Sequence, residues 1–175
     1  MKKSVLISGA SIAGLTMAYW LNQYGYEVTL VETSLAPRMG GTPIDVRGDS
    51  LDTAKRMGII EELNAARLPT MCMEFMNADN KVEAKMLVDE ISIRPGEDIE
   101  IRRDDLVKIN YDKTQKGVAY KFGNQIQTLE QSDDKVTITF QDGTNESYDL
   151  LIGADGLHSG VRRLVFGPEE QFTHF

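Results

Sequence analysis

An apolar run, a turn of small residues and a helix-compatible segment follow one another without a break over residues 5–14. Gly9, Ser11 and Gly14 occupy the three glycine positions of the G-x-G-x-x-G dinucleotide fingerprint, with serine at the middle position. Gly9 can adopt the unusual dihedral angles of the turn, and Gly14 lets the helix lie close to the sheet. Ser11 is small enough to let a pyrophosphate approach the main chain, and we expect it to cap the helix. The segment therefore predicts a strand, a tight turn with a phosphate site, and a helix start.

The predicted phosphate site uses the main chain at the helix start. The N–H groups of Ile12, Ala13 and Gly14 would be free to point at the phosphates, because the first N–H groups of a helix have no intrahelical acceptor. The positive end of the helix dipole favours the same negative charge. We predict a largely buried helix over residues 12–24, stopped at Gly25.

An acidic residue ends the next predicted strand, residues 27–32, at Glu32. Its separation from Gly14 is close to the roughly 20 residues expected when such an acid accepts hydrogen bonds from the ribose of a dinucleotide. An acid at this position favours an unphosphorylated adenosine ribose, as in FAD or NAD, over that of NADP. The sequence therefore predicts a βαβ unit that binds the adenosine part of a dinucleotide.

The loop after this strand, residues 33–41, is expected to lie near the adenosine end of the ligand. Thr33, Arg38 and Gly41 are the candidate cofactor-binding residues in it. Arg38 can cover the adenine or pair with phosphate, and a solvated loop charge is an equal alternative.

Two other interpretations of the N-terminal segment stay open. Lys2 and Lys3 followed by a mostly apolar stretch resemble a signal peptide, but glycines and serines interrupt the stretch and no convincing cleavage site follows. The segment can also be a buried βαβ unit that binds no nucleotide.

Composition excludes several functional classes. The chain has 175 residues, enough for one good core, and its net charge of −8 argues against a nucleic-acid partner. One cysteine and two histidines provide neither an internal disulfide nor a metal cluster. No apolar run reaches the length of a membrane span, so we expect a cytoplasmic protein without a membrane partner.

The remainder of the chain predicts a second sheet and a return to the first domain. Residues 71–77 and 82–88 flank Asp79-Asn80 and indicate a hairpin, in which the methionines are expected to fill packing gaps. Asp104 is expected to cap a helix that follows a strand, with Arg103 at the strand end. Asp155, in a glycine-flanked turn after a last strand, resembles a ligand site at the carboxyl edge of a sheet.

These patterns predict an α/β fold of the Rossmann type, with a layered, mainly parallel sheet and an added antiparallel sheet. We divide the chain into a βαβ unit with following helices (1–70), a hairpin excursion toward a substrate layer (71–98), a return to the nucleotide-binding domain (99–167) and the start of a further strand (168–175).

Three segments together resemble the flavin-dependent aromatic hydroxylases of the para-hydroxybenzoate hydroxylase type, which include tetracycline-modifying relatives. They are GASIAGL with Glu32, the Arg-x-Asp-Leu element from Arg103 to Leu106, and GADGLHSGVR from Gly153 to Arg162. The resemblance implies that Gly9, Ala10, Ser11, Ile12, Ala13 and Gly14 cradle the FAD pyrophosphate and that Glu32 holds the adenosine ribose. It also implies that Arg103 reaches the phosphate or ribityl region, and that Asp155 serves both FAD and the reducing nicotinamide cofactor.

The same resemblance implies a monooxygenase mechanism. NAD(P)H reduces FAD, the reduced flavin captures O2, and a flavin hydroperoxide delivers one oxygen atom to a small, aromatic or polycyclic substrate. Because the cofactor carries this chemistry, we expect no side-chain nucleophile, no catalytic residue and no metal. His158 is expected to be an exposed residue at a helix start.

The chain departs from the family in lacking the later substrate-domain strands and the second FAD motif, a Gly-Asp pair after a strand. We therefore expect an N-terminal part of a longer enzyme, with self-association through exposed sheet edges. Two alternatives remain, a non-catalytic nucleotide-binding fragment and an NAD-dependent dehydrogenase.

Overall fold

The computed structural model describes residues 2–38, 40–92 and 96–172. The strands are β1 (Ser4–Ser8), β2 (Glu27–Glu32), β3 (Pro43–Val46), β4 (Cys72–Met76), β5 (Val82–Leu87), β6 (Ile99–Arg102), β7 (Val118–Phe122), β8 (Ile126–Gln131), β9 (Val136–Phe140), β10 (Asn145–Tyr148) and β11 (Leu150–Gly153). The helices are α1 (Ile12–Gln23), α2 (Asp49–Met57), α3 (Ile60–Ala65), α4 (Val88–Ile91), α5 (Arg103–Thr114) and α6 (Gly160–Phe166), followed by a 3-10 turn, Glu169–Gln171.

The chain forms two compact units. The first contains residues 1–38 and 110–175, and the second contains residues 39–109. The two units meet at residues 38/39 and 109/110. The domain boundaries expected from the sequence, at residues 70 and 98, differ from these and stay a prediction. The hairpin and the strand that precedes α5 share the second unit.

A four-stranded parallel sheet in the order β11-β1-β2-β7 forms the centre of the first unit. The apolar residues of β1 make it an interior strand, and Val5, Leu6 and Ile7 are fully buried. Strand β2 pairs with it from Ser4 and β11 from Val5, and both pairings reach Ser8, which is opposite Val31 of β2 and Gly153 of β11. The carboxyl ends of these three strands therefore meet at one edge of the sheet.

A three-stranded antiparallel sheet, β10-β9-β8, packs in the same unit. Ile138 and Phe140 of β9 are fully buried and pack with Leu6 and Val31 of the parallel sheet. The alternation of buried and exposed residues along β9 gives this sheet one apolar face, as expected for a strand with a single buried side. The predicted fold class, a parallel sheet with an added antiparallel sheet, is confirmed.

Helix α1 is shorter and less buried than the sequence indicates. It ends at Gln23 instead of residue 24, and the buried residues are Gly14, Leu15 and Ala18 on one face. Met17 is 43% exposed on the other side. The helix therefore buries one stripe rather than its whole surface.

The second unit contains two strand pairs, β3 with β6 and β4 with β5, both antiparallel. The hairpin β4–β5 is present as predicted, and Asn80 in its turn has a positive φ of 57°. The expectation that its methionines fill packing gaps is wrong. Met71 is 79% exposed, and Met73 and Met76 are each about half exposed, because within the described residues no element covers them.

Helix α5 begins at Arg103, two residues before the start that an N-cap at Asp104 predicts, so Asp104 is inside the helix and does not cap it. Its Oδ1 accepts a hydrogen bond from the adjacent Asp105 N–H at 3.1 Å, whereas a cap would accept from the second or third helical residue. In the described parts of the chain, no helix is both long and apolar enough to cross a membrane.

Candidate functional site

The turn after β1 requires glycine at two positions. Gly9 has a positive φ of 106°, and a Cβ there would lie 2.5 Å from the Ala154 carbonyl oxygen. A Cβ on Gly14 would lie 1.9 Å from the Gly9 carbonyl oxygen, closer than any side chain tolerates. The two glycines therefore let the turn, the first turn of α1 and the segment after β11 approach one another at backbone distance.

Helix α1 begins with N–H groups that have no acceptor inside the helix. The first helical hydrogen bond runs from the Leu15 N–H to the Ser11 carbonyl, at 2.9 Å. The N–H groups of Ile12, Ala13 and Gly14 come before this bond and have no carbonyl acceptor within the helix. Ser11 is the N-cap residue with extended backbone, but the expectation that it caps is corrected, since its side chain makes no capping hydrogen bond. The helix start is thus built to offer its N–H groups to an anion.

Glu32 lies beside this turn at the end of β2. Its Oε2 accepts a hydrogen bond from the Ala10 N–H at 2.9 Å, and its Oε1 accepts from the Thr33 hydroxyl and the Ser34 N–H, both at 3.0 Å. Partial burial raises the pKa of Glu32, but these hydrogen bonds outweigh the burial and hold the pKa below its ordinary value of 4.5. The side chain is therefore an ionised acceptor near the predicted phosphate site.

The turn from β11 to α6 lies next to the turn from β1 to α1. Its own side chains accept the hydrogen bonds at the start of α6. Asp155 Oδ1 accepts from the Ser159 hydroxyl at 2.5 Å, and its Oδ2 accepts from the Val161 N–H at 3.0 Å. Ser159 Oγ in turn accepts from the Arg162 N–H at 3.0 Å, so both side chains cap α6. Asp155 thus has a structural role here, and its predicted contact with a cofactor stays a prediction.

The remaining predicted residues divide between the units. Thr33 and Arg38 are exposed in the first unit. Gly41 and Arg103 are in the second unit, where the Arg103 guanidinium donates to the Gly40 carbonyl at 3.4 Å and a Cβ on Gly41 would lie 3.1 Å from Arg103 Cδ. His158 is exposed as expected, with Nδ1 located 3.1 Å from Glu169 Oε2.

Sequence reasoning missed three contributors to the site. The Ser34 N–H orients Glu32, the Ala154 carbonyl lies against Gly9, and Ser159 completes the cap of α6. A serine directly before a helix is a recognisable capping signal, so Ser159 could have been found from the sequence. The other two act through their main chains, which carry no signal in the residue type.

Comparison with protein families identifies the chain. A family model described as an FAD binding domain matches residues 2–172. The chain belongs to this FAD binding domain family. The match confirms the family that the three sequence segments resemble, and FAD is the cofactor that the family binds.

Relatives of the chain include a protein named as a flavin-dependent monooxygenase. An uncharacterized protein of Mycobacterium tuberculosis (strain H37Rv) is 45% identical over 98% of this chain and 46% of its own length. A flavin-dependent monooxygenase from an unknown prokaryotic organism is 42% identical over 96% of this chain and 43% of its own length. The crystal structure of the tetracycline destructase Tet(55) superposes with a TM-score of 0.84 at 39% identity, covering 97% of this chain and 42% of that one. The chain thus spans less than half the length of these relatives.

The residues present fit the adenosine and pyrophosphate part of FAD. A pyrophosphate needs N–H donors that no side chain obstructs. Gly9 and Gly14 carry no side chain, and the turn and the helix start approach too closely there to admit one. A ribose needs hydrogen-bond acceptors, and the ionised Glu32 supplies one at the neighbouring strand end.

Proposed function

We propose that this chain binds the adenosine and pyrophosphate part of FAD in an NAD(P)H-dependent monooxygenase that hydroxylates a small, aromatic or polycyclic substrate. The observation that carries the proposal is the pairing of an uncapped helix start after Gly9 with an ionised Glu32 at the adjacent strand end. Relatives named flavin-dependent monooxygenases support the reaction class, and a tetracycline destructase among the similar structures supports a polycyclic substrate.

The chain's own residues bind and orient the cofactor. The N–H groups of Ile12, Ala13 and Gly14 would donate to the pyrophosphate oxygens, and Glu32 would accept a hydrogen bond from a ribose hydroxyl. When bound, the flavin supplies oxygen activation and transfer, with NAD(P)H as the electron donor. We infer from the family resemblance alone that Arg103 contacts the cofactor.

A non-catalytic nucleotide-binding module is the second candidate. The chain spans 42–46% of the length of the relatives above, so the groups that surround the flavin ring in those proteins need not come from residues 1–175. A module of this kind would hold the adenosine part of FAD without oxidising NAD(P)H. The family match favours FAD over the third alternative, an NAD-dependent dehydrogenase.

An absorbance spectrum tests the proposal. The purified chain is incubated with FAD, freed of unbound ligand and compared with a sample incubated with riboflavin, which lacks the adenosine and pyrophosphate. We expect flavin bands near one equivalent with FAD, none with riboflavin, and displacement of FAD by ADP. Equal retention of riboflavin, or no retention of FAD, would contradict the proposed adenosine site.

NADH and NADPH oxidation then separates the two candidates. Steady consumption of either one by the FAD-loaded chain, at a rate above that of free FAD, supports the monooxygenase assignment for this chain itself. Retention of FAD without such consumption would mean that residues 1–175 act by themselves as a nucleotide-binding module.

A further inference from the structure

Two consecutive N–H groups in the first turn point to the same neighbouring strand. The Gly9 N–H donates to the Val31 carbonyl at 2.8 Å, and the Ala10 N–H donates to Glu32 Oε2 at 2.9 Å. In a regular strand, consecutive N–H groups point to opposite sides. The positive φ of Gly9 reverses that direction, so that the side chain of Glu32 continues the hydrogen bonding between β1 and β2 past the end of the strands.

Ala10 depends on this carboxylate for its hydrogen bond. Ala10 is 1% exposed, so its N–H has little access to water. A buried N–H without an acceptor is costly, and the main chain of β2 supplies its Val31 carbonyl to Gly9 instead. The turn conformation that places the start of α1 therefore requires an acceptor at the position of Glu32 Oε2.

The carboxylate is itself held from its other side. The Ser34 N–H and the Thr33 hydroxyl both donate to Oε1, and the Ser34 side chain adds a further hydrogen bond, so protein donors hold both oxygens of the carboxylate. These donors fix the orientation of the carboxylate without any contribution from a ligand.

We propose that Glu32 is a positioning residue that locks the turn from Gly9 to Gly14 in its phosphate-binding conformation through the Ala10 N–H, before any nucleotide binds. The consequence for FAD rests on the proposed function, but the lock itself is a property of the chain alone. Glu32 would then serve the phosphate and the ribose through one carboxylate, and its loss would weaken binding of both parts of the ligand.

Amide hydrogen exchange at Ala10 in the cofactor-free chain tests the lock. We would measure it by NMR in the wild type, in Glu32→Gln and in Glu32→Met, with the buried amide of Ile7 in β1 as the internal reference. Glutamine keeps the length but supplies one acceptor oxygen, and methionine supplies none at similar length. Loss of one hydrogen bond predicts exchange at Ala10 that is roughly fivefold to tenfold faster relative to Ile7, with the larger effect in Glu32→Met.

Glu27→Gln is the matched control, because it removes the same charge from the other, exposed end of β2. It should leave exchange at Ala10 unchanged. Wild-type exchange at Ala10 in both Glu32 variants would overturn the lock, whatever their effect on FAD. If the variants weaken FAD binding without changing this exchange, Glu32 acts through the ribose only. If the wild type fails to bind FAD while exchange at Ala10 accelerates as expected, the lock stands and the proposed function falls.

Discussion

The turns after β1 and β11 lie side by side, yet their helices begin in opposite ways. Ser8 and Gly153 are paired at the strand ends; Gly9-Ala10 follows β1, whereas the glycine of Gly153-Ala154 is the last residue of β11. After β1, the helix start has no side-chain cap. After β11, Asp155 and Ser159 together accept two of the first N–H groups of α6.

The difference shows what makes a helix start available to a ligand. Every helix begins with N–H groups that need acceptors, and a sequence can supply them or leave them open. The turn after β11 supplies them from its own side chains. The turn after β1 leaves them open, and the nearby acid, Glu32, bonds the Ala10 N–H of the turn instead of the helix. The two neighbouring turns thus have different roles, one for binding and one for support.

The largest expected effect comes from Gly14→Ala in the binding turn. The added methyl group would lie 1.9 Å from the Gly9 carbonyl oxygen, so the helix must move away from the turn. We expect a loss of about 3 kcal/mol or more in the free energy of unfolding, measured from urea midpoints, and loss of FAD retention.

Gly160→Ala in α6 is the matched substitution at the supporting turn. A Cβ there has its nearest contact at 3.5 Å, to Asp155 Oδ2, which is an ordinary separation. We expect the free energy of unfolding to change by no more than about 0.5 kcal/mol. Equal stability of the two alanine variants would show that the close approach of Gly9 and Gly14 is not required.

A smaller effect is expected from Asp155→Ala, which tests the supporting role directly. The substitution leaves the Val161 N–H and the Ser159 hydroxyl without their acceptor, so the cofactor-free chain should lose about 1–2 kcal/mol of unfolding free energy. Ser159→Ala should cost about 1 kcal/mol, and the double variant should cost less than the sum because the two residues share one network. Unchanged stability of cofactor-free Asp155→Ala would indicate that Asp155 serves a ligand instead.

The binding turn could be predicted from the sequence because its chemistry is in the residue types. Glycine at positions 9 and 14 and an acid at position 32 specify backbone approach and an acceptor, whatever surrounds them. The parallel sheet followed from the same βαβ pattern. Asp155 was also found, but its environment was not, since a glycine-flanked acid after a strand can contact a ligand or cap the next helix.

The errors share one physical cause, which is that residue type and spacing do not decide between alternative local arrangements. Met71 and Met73 are two residues apart, as on the buried face of a strand, yet Met71 is 79% exposed and Met73 is about half exposed in the described structure. Asp104 is a residue type that caps helices, but its carboxylate bonds the adjacent N–H and the helix begins before it. In both cases the residue pattern fits more than one local arrangement of similar energy.

The smallest effect is expected from the pH dependence of Glu32, and it isolates the charge at the binding turn. Because the pKa of Glu32 is lower in the folded chain than its ordinary value of 4.5, ionised Glu32 stabilises the fold above that pH. This stabilisation is lost as the pH falls through the lower folded value. We expect the free energy of unfolding of the cofactor-free wild type to exceed that of Glu32→Gln by at most about 1 kcal/mol at pH 7, because Glu32 is partly exposed.

Urea midpoints of both proteins between pH 7 and pH 3 provide the measurement. The difference between them should be constant near neutrality and shrink below about pH 4.5. Glu27→Gln, measured alongside, corrects for the loss of one carboxylate from an acidic chain. A difference that persists unchanged to pH 3 would mean that the contribution of Glu32 to stability does not depend on its charge.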